Sequence, residues 1–306
     1  MNDVLLDLGS IANDLSKGGK APLVIILDNG SGEEDVASIR AVQAYGCPVV
    51  VVDHHFLEQD LAQVDVHINP YLVGHDSQIS AGMLGVELAR FIHVKASGVA
   101  YMAALAGVGD KTQSPEMEQY KLLAEKEGFT LEFLKQLAVS IDFVAYYLRS
   151  VEARGLIDDL FGARQKKLVE ILYGSASPKI QEVLVPVKHY TQVIERGGKN
   201  IAVIDLAKIC SFGDFPPMGK VTGAASDWLN TMHSHVYVLG VADDMIVLRV
   251  SATETSFNLN MLIDALREKM PFASVSGGGH ERAGTIKFVA AAKDEVVEFV
   301  KNYISG

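Results

Sequence analysis

Residues 22 to 55 read PLVIILDNGSGEEDVASIRAVQAYGCPVVVVDHH. PLVIIL is a continuous apolar run with β-branched residues, bounded by Pro22 and by DNGSG. That composition predicts a strand buried on both faces. Ser31 with Glu34 three positions on forms a capping box. Val36, Ile39 and Val42 then recur at helical spacing as far as Gly46. PVVVV (48–52) predicts a second buried strand. Strand, helix and strand in that order predict a right-handed βαβ unit in a parallel sheet. Asp28 ends the first strand and Asp53 the second, and His54 and His55 follow directly. Open parallel sheets bind ligands outside the carboxyl ends of their strands. Carboxylate and imidazole together suit Mn²⁺, Zn²⁺ or Fe²⁺ better than Ca²⁺. An isolated DHH is more often a surface turn. Here it follows a strand and comes 25 residues after an acid at the end of another, which points to a metal site.

Working outward, residues 1–20 predict an amphipathic helix carrying Leu5, Leu8, Ile11 or Ala12, and Leu15 on one face. HINPY (67–71) predicts a short strand leading into a loop, and Ser80 is placed to cap the helix ISAGMLGVELARFI. Helical spacing dominates from about 97 to 173, until YGSASP (173–178) interrupts it. From residue 199 the texture changes. NIAVIDLA, VYVLGVADDMIVLRVSA and GTIKFVAA are strand-like, with Asp243 and Asp244 as a hairpin signal, while SFNLNMLIDALREKM and KDEVVEFVKNYI are helical. The expected architecture is α/β: a parallel-sheet domain over 1–175, a connecting segment over 176–198, and a smaller α/β domain over 199–306.

Two further stretches carry chemistry. ALAGVGDKT (104–112) places Asp110 after small residues that permit close backbone approach, although an acid there is more commonly a turn or cap residue. SVSGGGHERAG (274–284) combines Gly277, Gly278 and Gly279 with His280 and Arg282. Glycines permit positive φ and leave backbone N–H groups open, so such loops cradle anions, and Arg and His reinforce that. Arg249 is a further candidate phosphate contact, against its ordinary reading as an exposed strand arginine.

The bulk properties are those of a water-soluble globular chain, with 49% apolar and 21% charged residues. The formal charge of −11 argues against a broad basic face for polyanions, since phosphate binding is driven by Lys and Arg. Two isolated cysteines, Cys47 and Cys210, exclude a disulfide framework or zinc ribbon and fit a reducing cytoplasm. The sequence carries neither a signal-peptide pattern nor an apolar run long enough to cross a bilayer.

In order along the chain, LDNGS, VVDHHF, INPY, AALAGVGD and SGGGHERAG resemble the motifs of the DHH phosphoesterases that carry a DHHA1 domain. The wording ILDNGSGEEDV and AGMLGVELARFI is most similar to the archaeal RecJ-like branch, which includes the Hef-associated nuclease. The resemblance implies phosphodiester hydrolysis with Mn²⁺, or Mg²⁺ or another divalent ion. It makes Asp28 a bridging ligand, with His54 and Asp110 binding one metal. His55 faces the phosphate, Asp53 orients the site, and Gly277–Gly279, His280 and Arg282 hold the nucleotide end. The implied substrate is single-stranded DNA or RNA, cut by an exonuclease with a replication or repair protein as partner.

One motif of the family is missing. Family members begin with a strand ending in a D-x-D motif, and none occurs among the 27 residues before Asp28, where Asp3, Asp7 and Asp14 fall in or beside the predicted helix. The expectation is therefore a single well-bound metal and weak activity for the chain alone. Either the first motif lies upstream, on this polypeptide or another, or the protein is a nuclease-deficient interaction module of a replication complex. Acidity and the lack of a basic groove favour a small ester instead: a short oligonucleotide, pAp or a cyclic dinucleotide.

Overall fold

The structure is a computed structural model that describes residues 2–57, 59–60, 63–95, 98–148, 154–211 and 213–306; the side chains of residues 2–7, 34 and 154 lie outside that description. The chain divides into two compact units, Met1–Ala138 and Val139–Gly306.

The first unit opens with α1 (Asn2–Ser16), β1 (Val24–Leu27), α2 (Val36–Gln43), β2 (Val49–Val52) and β3 (Val66–Ile68). The three strands pair in parallel in the order β1-β2-β3, as the βαβ reading requires. Val49, Val51 and Val52 are buried, each contributing about 1.5–3 kcal/mol. Leu8 and Ile11 of α1 and Val36 of α2 pack on the same core as Ile26, Ile39 and Val42. The contact expected of Leu5 lies outside the described side chains. β1 is not buried on both faces as its composition predicts: Ile26 faces the core, while Leu23, Ile25 and Leu27 on the opposite face remain exposed.

The predicted capping box is displaced. A 3₁₀ turn at Glu33–Asp35 precedes α2, and the Asp35 carboxylate accepts from the N–H groups of Gly30 and Gly32. Ser31 points inward, because its hydroxyl finds buried partners there.

Next come α3 (Ala81–Ile92), α4 (Ala100–Gly109), α5 (Pro115–Lys126) and α6 (Leu131–Leu148), which crosses the division between units. Ser80 caps α3 as expected, accepting from Met83 N. α4 is built from small residues because its neighbours press close. A Cβ on Gly82 would come 2.4 Å from Ala106 Cβ, and one on Gly107 would meet Met117 Sδ at 2.2 Å. α4 ends at Asp110, after which Lys111 takes φ 55° and Thr112 N–H returns to the Gly107 carbonyl. That left-handed step reverses the chain.

The second unit contains α7 (Arg154–Leu160), α8 (Gln165–Glu182), α9 (Leu184–His189), β4 (Thr191–Arg196), β5 (Lys199–Asp205), α10 (Met218–Leu229), β6 (Val236–Val241), β7 (Met245–Val250), α11 (Leu259–Lys269), β8 (Ser276–His280), β9 (Ala283–Lys287) and α12 (Lys293–Ser305). Its mixed sheet runs β4-β5-β6-β7-β9-β8, with β5 and β6 parallel and the rest antiparallel. α10 covers one face through Val221, Ala225 and Leu229, and α11 and α12 cover the other. The hairpin at Asp243–Asp244 forms as predicted.

Two further expectations need correction. YGSASP does not interrupt a helix: α8 runs through it, Pro178 included. Ala176 is fully buried there and the Ser175 hydroxyl donates to the Ile171 carbonyl, so tertiary packing overrides local propensity. The glycine-rich stretch is a strand, not an open loop. Gly277 (φ 134°) and Gly279 (φ 142°) lie against β9, where a Cβ would come 2.1 Å from the Thr285 carbonyl oxygen and 2.4 Å from that of Ala283.

Candidate metal centre

The carboxyl edge of the three-stranded sheet gathers five of the residues singled out in the sequence. Asp28 follows β1 with φ 59°, a left-handed conformation that Asp tolerates better than most residues, and its N–H donates to Val52 O. Gly30 (φ 106°) lets the turn pass over β2, with Val51 only 3.0 Å from where a Cβ would sit.

His54 is the centre. Its side chain is 2% exposed, its Nδ1 lies 3.1 Å from the Ser77 carbonyl oxygen, and its Nε2 lies 3.4 Å from Asp28 Oδ1 and 3.9 Å from Asp110 Oδ2. The Ser77 carbonyl can only accept, so Nδ1 carries a proton, and in the neutral ring Nε2 turns its lone pair toward the two acids. A histidine fixed in this way is oriented as a metal ligand. Burial works against protonation of His54, but Asp28 and Asp110 outweigh it and raise its pKa. Burial also raises Asp110, and the charge of Asp28 adds to this, while His54, His55 and the Ser80 hydroxyl act the other way. Two carboxylates and an imidazole lone pair converging in one place are a donor set that a divalent cation fits and that protons satisfy only partly.

Asp53 is 1% exposed and saturated with donors. Oδ1 accepts from His54 N at 2.8 Å, from His55 N at 3.3 Å and from His55 Nδ1 at 2.7 Å, and Oδ2 accepts from Ser31 N at 3.1 Å. Burial alone would raise its pKa, but the bond and charge of His55, with Ser31 and His54 N–H, hold it well below the usual carboxylate range. The same bond raises His55 despite burial. Asp28, Asp53 and His55 also offer ligand atoms within 4.8 Å of one another.

A depressed carboxylate stabilises the fold only while it is ionised. Its contribution is complete above the unfolded pKa of about 3.9 and is lost as pH falls from there toward the folded value. Acid unfolding followed by circular dichroism should therefore show a steeper fall of stability below about pH 4 for the parent than for Asp53→Asn. Parallel curves would remove Asp53 from the account.

In the second unit, Arg249 on β7 and His280 on β8 both pair with Ala283 of β9, so the three residues share one face in register. Arg249 is not an exposed strand arginine. It lies beneath α10, 3.9 Å from where a Cβ on Gly219 would be, and Nη1 donates to the Leu248 carbonyl. Arg282 lies in the turn between β8 and β9. The sequence marks Ser31 only as a helix cap and gives no role to His67, Asn69 or Ser77. Ser77 contributes only a backbone carbonyl, for which no residue type is diagnostic.

No family model matches the chain. A solved DHH domain, from a protein described as belonging to a family of ribosomal proteins, superposes with a TM-score of 0.92 at 33% identity, covering all of this chain and 74% of that one. The chain belongs to the DHH phosphoesterase superfamily. This DHH protein is also 35% identical over 343 residues to an uncharacterised protein of Methanocaldococcus jannaschii, covering 99% of the chain and 45% of that relative. It thus spans less than half the length of the curated relative it matches. RecJ from Thermus thermophilus, solved in complex with Mn²⁺, shares the fold, with a TM-score of 0.60 at 17% identity over 95% of this chain and 46% of that one. No helix among the described residues is long and apolar enough to cross a membrane.

Proposed function

We propose that this DHH protein hydrolyses phosphodiester bonds with a bound divalent metal, Mn²⁺ foremost, acting on the ends of single-stranded DNA or RNA. The observation that carries this is the fixed tautomer of His54, whose Nε2 faces Asp28 and Asp110 while Ser77 holds Nδ1. Asp28, His54 and Asp110 are the residues to hold the ion. A divalent cation so placed supplies a Lewis acid and an activated water.

The chain's own contribution follows from the charges. Asp53 remains ionised and keeps His55 cationic to higher pH than a free imidazole. His55 is 36% exposed, so the ring edge away from Asp53 can donate to a phosphate oxygen. It neutralises charge that builds on the phosphoryl group during displacement. In the second unit, Arg249 and His280, in register on one face, are suited to hold a terminal phosphate, with Arg282 and the backbone of Gly277–Gly279 beside them in the same hairpin. The domain roles follow: phosphoesterase chemistry in the N-terminal part, DHHA1-type nucleotide binding in the part from residue 199.

Incubation with Mn²⁺ and 5′-labelled DNA and RNA of graded length tests the reading. Exonuclease action predicts a ladder of products largely independent of substrate length. The net charge of −11 favours a rival, small nucleotides as substrate, and activity collapsing beyond a few nucleotides would select it. Metal binding with no cleavage of any substrate would make the chain a binding module.

A further inference from the structure

Behind the metal edge lies a buried hydrogen-bonded set that the chemistry above leaves unused. Ser31 is its hub. The hydroxyl is 3.2 Å from His67 Nε2 and accepts from Asn69 Nδ2 at 2.9 Å, while the backbone N–H of the same residue holds Asp53. Asn69 Nδ2 also donates to the His55 carbonyl at 3.1 Å, and Asn69 Oδ1 accepts from Tyr71 N at 3.0 Å. The far nitrogen of His67 lies 3.4 Å from Asp60 Oδ1, and the His67 side chain is 5% exposed. One proton arrangement fits the inner bonds: Ser31 donates to His67 Nε2 and Asn69 donates to Ser31, which leaves the proton of His67 on Nδ1, on the side of Asp60 but without a hydrogen bond to it.

The set joins three segments that are separate in sequence. Ser31 belongs to the turn that begins at Asp28. Asp53 and His55 belong to the turn after β2. His67 and Asn69 are delivered by β3 and the residue following it. β3 makes no ligand itself, yet it is the common anchor of both turns.

We propose that Ser31, His67 and Asn69 are positioning residues that fix the Asp28 turn against the Asp53–His55 turn and thereby set the metal affinity. The inference rests on the metal reading above. Outer partners of ligands typically change metal affinity by about 10–100-fold when removed. A purely structural set would instead lower the stability of the metal-free protein and leave the affinity of the folded molecule alone.

Titration calorimetry with Mn²⁺ on the full chain, beside thermal unfolding of the metal-free protein, separates these outcomes. Ser31→Ala removes the hydroxyl but keeps the N–H that holds Asp53. Asn69→Asp keeps the acceptor for Tyr71 N and loses the donor facing Ser31 and the His55 carbonyl. Each is expected to weaken Mn²⁺ binding by about 10-fold or more. His67→Gln, whose amide oxygen can accept from Ser31, should lie nearer the parent than His67→Ala. His54→Ala serves as the control for the metal reading. If His54→Ala weakens binding while Ser31→Ala and Asn69→Asp stay within twofold of the parent, the positioning role is wrong and the metal reading stands. If His54→Ala leaves binding unchanged, the metal reading falls, and the positioning role with it.

Discussion

Replacing His54 with alanine is expected to lower Mn²⁺ affinity by at least about 100-fold and to abolish metal-dependent hydrolysis, while the protein stays folded. The imidazole is the only donor that faces both Asp28 and Asp110 among the described ion pairs. Without it, two acids are left to hold the ion, with no neutral nitrogen to set its geometry. Stability should survive because the acids are not trapped: the side chains of Asp28 and Asp110 are 61% and 35% exposed, so both can turn to water once the ring is gone. Calorimetry and a cleavage assay on the same preparation, with circular dichroism as the check on folding, read all three quantities. A folded variant that binds and cuts like the parent would contradict the assignment of the centre to this edge of the sheet.

Asp53→Ala should act in the opposite way, through the fold before the chemistry. A cost of about 3–5 kcal/mol is expected, the range for breaking a buried, hydrogen-bonded charge pair by removing one partner. The reason is the number of donors left behind. Ser31 N, His54 N, His55 N and the His55 ring all lose their acceptor in one substitution, and Asp53 lies where water hardly reaches. Asp53→Asn retains an acceptor oxygen and nearly the same shape, so its cost should be smaller. Denaturant unfolding at neutral pH distinguishes the two. A loss below about 1 kcal/mol for the alanine variant would mean that water replaces the carboxylate, and that this turn is not held in the way its bonds indicate.

The contrast between these residues explains why the site was legible in part. Asp28, Asp53, His54 and His55 declare themselves because each follows a run of β-branched residues, and a parallel sheet brings successive strand ends to one edge. Asp110 is less visible. The small residues before it announce close packing, but only the packing of α4 against α3 and α5, at Gly82, Ala106, Gly107 and Met117, carries that acid toward His54. The glycine run shows the limit of local reasoning. Three successive glycines look like an open loop, and the strand becomes evident only when β9 is seen pressed against backbone positions where no Cβ fits.

By itself, then, the sequence determined the βαβ core, the parallel order of its first two strands and the acids and imidazoles at their ends, because buried strands and their termini are written in local hydrophobic pattern. Only the tertiary structure decided that Ser31 turns inward instead of capping α2, that α8 continues through Pro178, and that His67 and Asn69 meet the Ser31 hydroxyl. The physical reason is the same in each case. A hydroxyl, a proline or an amide has several local uses of similar free energy, and the choice among them is made by partners that are distant in sequence and adjacent only after folding.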